Sequence, residues 1–206
     1  MADQEAAAMK DGREKGLKAA RDAFYVGDIA SKIVKYHKEN GGLMTADDMA
    51  SYRTPIEKPL SISFRGTEVY SCRPWCQGPV LLQMLNILND IDLNAMGHNS
   101  ADYIHYLAET IKLSFADRER YYGDPNFIDV PIEKLLSSEF AKQRQEQINP
   151  QRAWPEMPPA GEIEGFGGIS FRSDINSDAS FSEPDTSYTC TMDKQGNVCS
   201  ITPSDV

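Results

Sequence analysis

"DTSYTCTMDKQGNVCSITPSDV", Asp185 to Val206, decides how the rest of this chain is read. "TSYTCTMD" alternates, with Tyr188, Cys190 and Met192 on one face. "DKQGN" is a turn centred on Gly196, and "VCSIT" is the return strand. By pattern alone this is an edge hairpin, with Thr186 a strand residue like any other. The same layout also suits a less common chemistry. If the peptide bond before Thr186 breaks, Thr186 gains a free α-amino group. That amine can serve as general base for the hydroxyl of the same residue, so nucleophile and base come from one side chain and its own backbone.

Upstream of the hairpin, residues 149–184 are rich in Pro, Gly, Ser and Asp and show no sustained period. A loop of that length is uncommon inside a compact domain and is usually functional or disordered. It is read here as a flexible segment that lets a cut chain end move away from Thr186. Before it the chain is helix-rich. "DIASKIVKYHKENGG" is a helix stopped by Gly41-Gly42, and "TADDMASY" is a short helix with Thr45 as N-cap and Asp48 closing a capping box. "LSISFRGTEVYSC" gives two strands about an Arg65-Gly66-Thr67 turn. "RPWCQGP" is a loop. "VLLQMLNILNDI" predicts a helix burying Leu81, Leu82, Leu85, Leu88 and Ile91. The longest helix starts at a Ser100 cap, ends at Gly123-Asp124-Pro125, and repeats Tyr103, Ile104, Leu107, Ile111, Phe115 and Arg118 at helical spacing. "SSEFAKQRQEQI" predicts an exposed amphipathic helix.

The chain has 206 residues, 40% hydrophobic and 25% charged, with a formal charge of −10. That charge repels nucleic acid and anionic membrane, which are excluded as partners. No apolar run approaches the roughly 18 residues of a membrane span. The opening "MADQEAAAMKDGREKGLKAARDAF" is polar and helix-prone and lacks the apolar block of a signal peptide. The location is thus cytoplasmic, or periplasmic or secreted if a leader precedes this stretch. Four cysteines, Cys72, Cys76, Cys190 and Cys199, lack the spacing of a zinc site. Cys72 and Cys76 read as free buried thiols, and Cys190 and Cys199 lie on the two arms of the closing hairpin, where a cross-strand disulfide would need them to face each other closely. His105 and the "ADRER" charges, Asp117 to Arg120, read as structural.

In order along the chain, "GGLMTADDMASY", "FRGTEVYSCRP", "LLQMLNILND", "ADYIHYLAETIKLSFADRERYYGDPNF", "VPIEKLLSSEFAKQR" and "DTSYTCTMDKQGNVCSITPSD" resemble the gamma-glutamyltransferase (gamma-glutamyltranspeptidase) family. The resemblance implies an α+β fold, part of the four-layer αββα sandwich of N-terminal-nucleophile hydrolases. It implies a precursor that cuts itself at Asp185–Thr186. Residues 1–185 then correspond to the C-terminal part of a large subunit, and 186–206 to the first hairpin of a small one. Thr186 is the implied nucleophile. The family's second Thr, which hydrogen-bonds the nucleophile, falls on Ser204. The implied substrate is a γ-glutamyl or related amide, with no cofactor and no metal. The implied partner is the remainder of the small subunit.

Three departures bear on specificity. An Asn that contacts the substrate amine in the family is Val206 here, which cannot form that bond. The family's "TTH" opening is "TSY", and its "PPPSSGG" loop is "RPWCQGP". These point toward the acylases and amidohydrolases that share the fold. The upstream Arg that binds the substrate carboxylate in the family has no counterpart here, and the chain is read as an excerpt of a longer precursor. A third reading is a non-catalytic, unprocessed homologue. The family's oxyanion-hole glycines would follow Val206, and such donors usually supply the largest catalytic term, so the 206 residues alone are expected to be inactive. Two strands of a sandwich expose open edges, which invite association between copies into a homo-oligomer. Trp75 and Cys76 are the expected substrate-lining residues of the "RPWCQGP" loop.

Overall fold

A computed structural model describes residues 1–168 and 186–202. The chain divides into two compact units, Met1–Lys58 and Pro59–Val206. The first is helical: α1 (Ala2–Ala8), a 3-10 turn (Met9–Asp11), α2 (Arg13–Tyr25), α3 (Asp28–Glu39) and α4 (Ala46–Ser51). Thr45 closes the expected capping box. Its N–H donates to Asp48 Oδ2 at 2.8 Å, and the Asp48 N–H returns to Thr45 Oγ1 at 3.2 Å. Two otherwise orphaned donors at the helix start are satisfied reciprocally. The end of α4 is tied to α2 by Arg21, which donates to Tyr52 O at 2.8 Å. Tyr25 stacks on Tyr52 with ring centroids 5.7 Å apart.

The second unit opens with strands β1 (Leu60–Phe64) and β2 (Thr67–Ser71), paired antiparallel from Leu60↔Ser71 to Phe64↔Thr67. The connecting pair, Arg65 and Gly66, sits at φ 50° and 82°, the left-handed geometry that two-residue hairpins demand. There follow α5 (Gly78–Leu88), α6 (Leu93–Met96), α7 (Ala101–Tyr121), α8 (Ile132–Leu135), α9 (Ser138–Gln145) and a second antiparallel pair, β3 (Thr189–Met192) and β4 (Val198–Ile201). The Ser100 hydroxyl accepts from Tyr103 N–H at 3.1 Å and starts α7 as expected. Helices and antiparallel pairs together make the α+β class.

One expected helix face is corrected, and a second helix buries residues that spacing does not single out. On α5 the buried side chains are Pro79, Val80, Leu82, Gln83, Ile87 and Leu88, while Leu81 is exposed. On α7 the residues that repeat at helical spacing do not mark the most buried face: Ile104 is 54% and Ile111 47% exposed, while Tyr103, Leu107, Phe115 and Arg118 are half-buried. The buried face is Glu109, Thr110, Leu113, Ser114, Ala116, Asp117 and Tyr121. Two of its polar members, Glu109 and Asp117, are met by polar partners, while Leu113 packs in the apolar core. One core patch gathers Ile87, Leu88, Ile91, Leu113, Ala141 and Ile148; another gathers Tyr121, Leu135, Phe140 and Ile163.

Asp117 and Arg144 join these patches. The Asp117 carboxylate is 0% and the Arg144 guanidinium 1% exposed, with Arg144 Nε 3.0 Å from Asp117 Oδ2. Asp117 also accepts from Gln83 Nε2 and, at 2.7 Å, from the Gly161 N–H. Arg144 Nη2 donates to Leu113 O at 3.1 Å and Pro159 O at 3.0 Å, and Nη1 to Gln147 Oε1 at 2.8 Å. The Tyr121 hydroxyl donates to Gly161 O at 2.8 Å. A buried pair held at this many points fixes geometry more than it adds net stability.

Residues 149–168 therefore carry no regular element yet are held at several points; 169–184, the remainder of the segment read as flexible, lies outside the described residues. His105 Nε2 meets Asn149 O at 2.8 Å, the structural role expected of it. Lys112 Nζ donates to Trp154 O and to Glu109 Oε1, both at 2.7 Å, and the Trp154 N–H donates to Glu109 Oε2 at 3.0 Å. Burial opposes the charged form of Glu109, but the Lys112 and Trp154 bonds outweigh it, so the carboxyl sits below its ordinary value of 4.5. A carboxyl depressed in the folded state stabilises above its unfolded value, and that contribution is lost as pH falls through the folded value. The hydrogen-exchange protection of the Trp154 amide is thus expected to fall as pH drops below 4.5. Glu109→Gln should lower it about tenfold or more at neutral pH, because the charged acceptor is gone. Unchanged protection in that variant would show that Glu109 does not hold the segment.

Candidate functional site

The closing hairpin is ordered by its own turn. Asp193 Oδ1 accepts the N–H groups of Gln195 and Asn197, each at 2.9 Å, while Asn197 Nδ2 donates to Asp193 Oδ2 at 2.8 Å. The Asn197 contacts hold the Asp193 carboxyl below the ordinary aspartate range. A short polar residue bonding its own backbone two residues on is what fixes such turns. Register runs from Thr189↔Ile201 to Met192↔Val198. Cys190 faces Ser200 and Thr191 faces Cys199, so the two cysteines are offset and both are free. Every residue of β3 and β4 is exposed.

Thr186 stands at the head of this hairpin, just before β3, and is exposed. Asp185 on one side, and Ser204 and Val206 on the other, lie outside the described residues. The expected contact between Thr186 and Ser204 falls outside them too.

The "RPWCQGP" loop joins β2 to α5. Cys76, with Pro74, Gln77, Arg118, Glu119, Tyr122 and Gly123, lines a shallow pocket of about 270 Å³. Trp75, the other expected lining residue, is 44% exposed and does not line it. Arg118 Nη1 donates to Gln77 Oε1 at 2.7 Å, pairs with Glu119, and lies over the Phe115 ring at 4.4 Å. Arg118 and Glu119 thus border the pocket, a placement that helical spacing alone does not disclose. Cys72 and Cys76, read as buried thiols, are both exposed: the loop turns them outward at the start of α5. Among the described residues, no group of three or more His, Cys, Asp or Glu could hold a metal ion.

Comparison with known proteins gives these features a context. A family model described as gamma-glutamyltranspeptidase matches residues 7–205. The glutathione hydrolase-like YwrD proenzyme of Bacillus subtilis is 36% identical over 89% of this chain and 31% of its own length. The acylase ACY 1 proenzyme of a Pseudomonas species is 33% identical over 88% of this chain and 29% of its own. The crystal structure of Helicobacter pylori gamma-glutamyltranspeptidase superposes with a TM-score of 0.64 at 34% identity, covering 75% of this chain and 43% of that one. The chain spans about three tenths of the length of the curated relatives it matches.

Proposed function

Because the chain belongs to the gamma-glutamyltranspeptidase family, we propose that it carries the self-cleavage site and the nucleophile of an amide hydrolase or acyl transferase, with Thr186 as that nucleophile. The observation that carries the reading is Thr186 itself: an exposed residue heading a self-ordered hairpin, within the matched range. The proenzyme names of the relatives support a precursor cut in two. On this reading 1–185 belongs to the large-subunit side and 186–206 begins the small one, whose remainder is the partner.

In the proposed cycle, Thr186 Oγ1 attacks the carbonyl carbon of an amide. Its proton passes to the α-amino group freed by cleavage, and from there to the departing amine as the C–N bond breaks. A threonyl ester remains. Water, or an acceptor amine, attacks that ester, gives up one proton, and releases the acyl group while Thr186 recovers its hydroxyl. Ser204 is assigned to hydrogen-bond Thr186 and hold its hydroxyl in line. The substrate is a γ-glutamyl amide of the glutathione type.

A second reading, an acylase or amidohydrolase acting on another acyl group, is supported by the acylase relative and by Val206, whose side chain cannot bind a substrate amine. Turnover of a γ-glutamyl anilide by the full-length gene product, against other acyl anilides, separates the two. The intact mass of the purified chain, fresh and after days at neutral pH, tests the site. A new species beginning at Thr186 is the expected result in a competent precursor. Cleavage at any other bond, in the chain or in the full-length product, would refute the assignment of Thr186.

A further inference from the structure

Cys72 and Cys76 flank the apex of the loop between β2 and α5. Both thiols are free and exposed. Their Sγ atoms lie 2.8 Å apart, against about 2.05 Å in a formed disulfide. The convergence is built by the loop. The Cys76 N–H donates to Arg73 O at 3.4 Å, a turn that brings the two side chains round to one side. Gly78 keeps the space open: a Cβ there would stand 2.7 Å from Cys72 Sγ and 2.9 Å from Cys72 O. Ser71 Oγ sits 3.9 Å from Cys72 Sγ and Arg73 O 3.9 Å from Cys76 Sγ, so each sulfur has a polar neighbour as well as the other sulfur.

We propose that Cys72 and Cys76 are a dithiol site that exchanges with low-molecular-weight disulfides and closes into a reversible intramolecular disulfide. Cys72 is the attacking sulfur. The hydrogen bond from Cys76 holds its thiol below the ordinary cysteine value, whereas burial, with the bond to Cys72, pushes Cys76 up. The thiolate is the reactive form, so the lowered partner goes first. Cys72 Sγ attacks one sulfur of R–S–S–R. That S–S bond breaks, one R–SH leaves with the proton Cys72 gave up, and Cys72–S–S–R remains. Cys76 Sγ, losing its own proton to the second leaving sulfur, then attacks Cys72 Sγ and expels the second R–SH. One small disulfide is reduced to two thiols, and the dithiol is oxidised to one disulfide, with no other reactant. Because Cys76 also lines the pocket beside Gln77 and Arg118, closure acts on that wall.

The test uses the reduced chain equilibrated in buffers of glutathione and glutathione disulfide at stepped ratios, then trapped by alkylation. Arg73 precedes Pro74, so trypsin leaves both cysteines in one peptide, residues 66–112, whereas a cut at Lys194 separates Cys190 from Cys199. The expected product is that peptide lighter by two hydrogens and carrying no alkyl group, restored by dithiothreitol. Cys76→Ser should stop at a mixed disulfide on Cys72, and Cys72→Ser should form no internal bond. Thr186→Ala should leave the exchange unchanged, which separates this site from the Thr chemistry. Independent alkylation of both cysteines at every ratio would overturn the proposal. So would a disulfide joining either one to Cys190 or Cys199.

Discussion

Thr186→Ala is expected to leave the precursor as a single uncut mass and to lower amide hydrolysis by the full-length product at least about a thousandfold, since loss of a nucleophile usually costs that much or more. One substitution removes both events because the same hydroxyl is assigned to both. In self-cleavage it attacks the preceding carbonyl, and in turnover it attacks the substrate. Thr186→Ser keeps a hydroxyl and, once cut, an α-amino group. It should therefore process and turn over, more slowly because the missing methyl loosens the rotamer. Intact mass reads the first event and release of an anilide the second. If Thr186→Ala still cuts, another residue attacks the bond; if it cuts normally yet fails in turnover, the two reactions use different nucleophiles.

Asp117→Ala is expected to destabilise the second unit by about 3–5 kcal/mol, the usual cost of leaving a buried charge without its partner. Arg144, 1% exposed, would face a void, and the Gly161 N–H would lose its acceptor. Against a total stability of about 5–15 kcal/mol for a typical domain, that is a large share. Urea or thermal unfolding measures it. A double variant, Asp117→Leu with Arg144→Met, should recover much of the loss, because two apolar groups of similar bulk need no partner. A loss below about 1 kcal/mol in Asp117→Ala would mean that water reaches Arg144 and that the pair is not buried in solution.

Local signals in the sequence placed most of the elements. Thr45 and Ser100 name the starts of α4 and α7, since a hydroxyl before an apolar run has few other uses there. Gly66 and Gly196 mark the two hairpin turns for a similar reason. What the sequence did not disclose is which way α5 and α7 face. Apolar period assumes that burial and hydropathy coincide, and on α7 they part: Lys112 meets Glu109 from the next turn, but Arg144 and the amides of Trp154 and Gly161 reach Asp117 and Glu109 from distant positions. No window of local sequence contains those distant partners. The thiols were misjudged likewise, because exposure at Cys72 and Cys76 depends on how a loop turns. Thr186 was legible only through the family likeness, as a Thr at the head of a strand has no pattern of its own.

The polar inner face of α7 also sets how the chain tolerates genetic variation. A saturation scan of 101–121 should depart from hydropathy at four positions. Changes at Ile104 and Ile111, which a substitution matrix penalises, would pass with little loss of folded protein. Changes at Ser114 and Asp117, which the same matrix scores as ordinary polar positions, would be among the most damaging. Both polar side chains are 0% exposed. Any clinical-style or evolutionary score that equates polar with peripheral would therefore misrank Ser114 and Asp117, while ranking Leu113 and Tyr121 correctly.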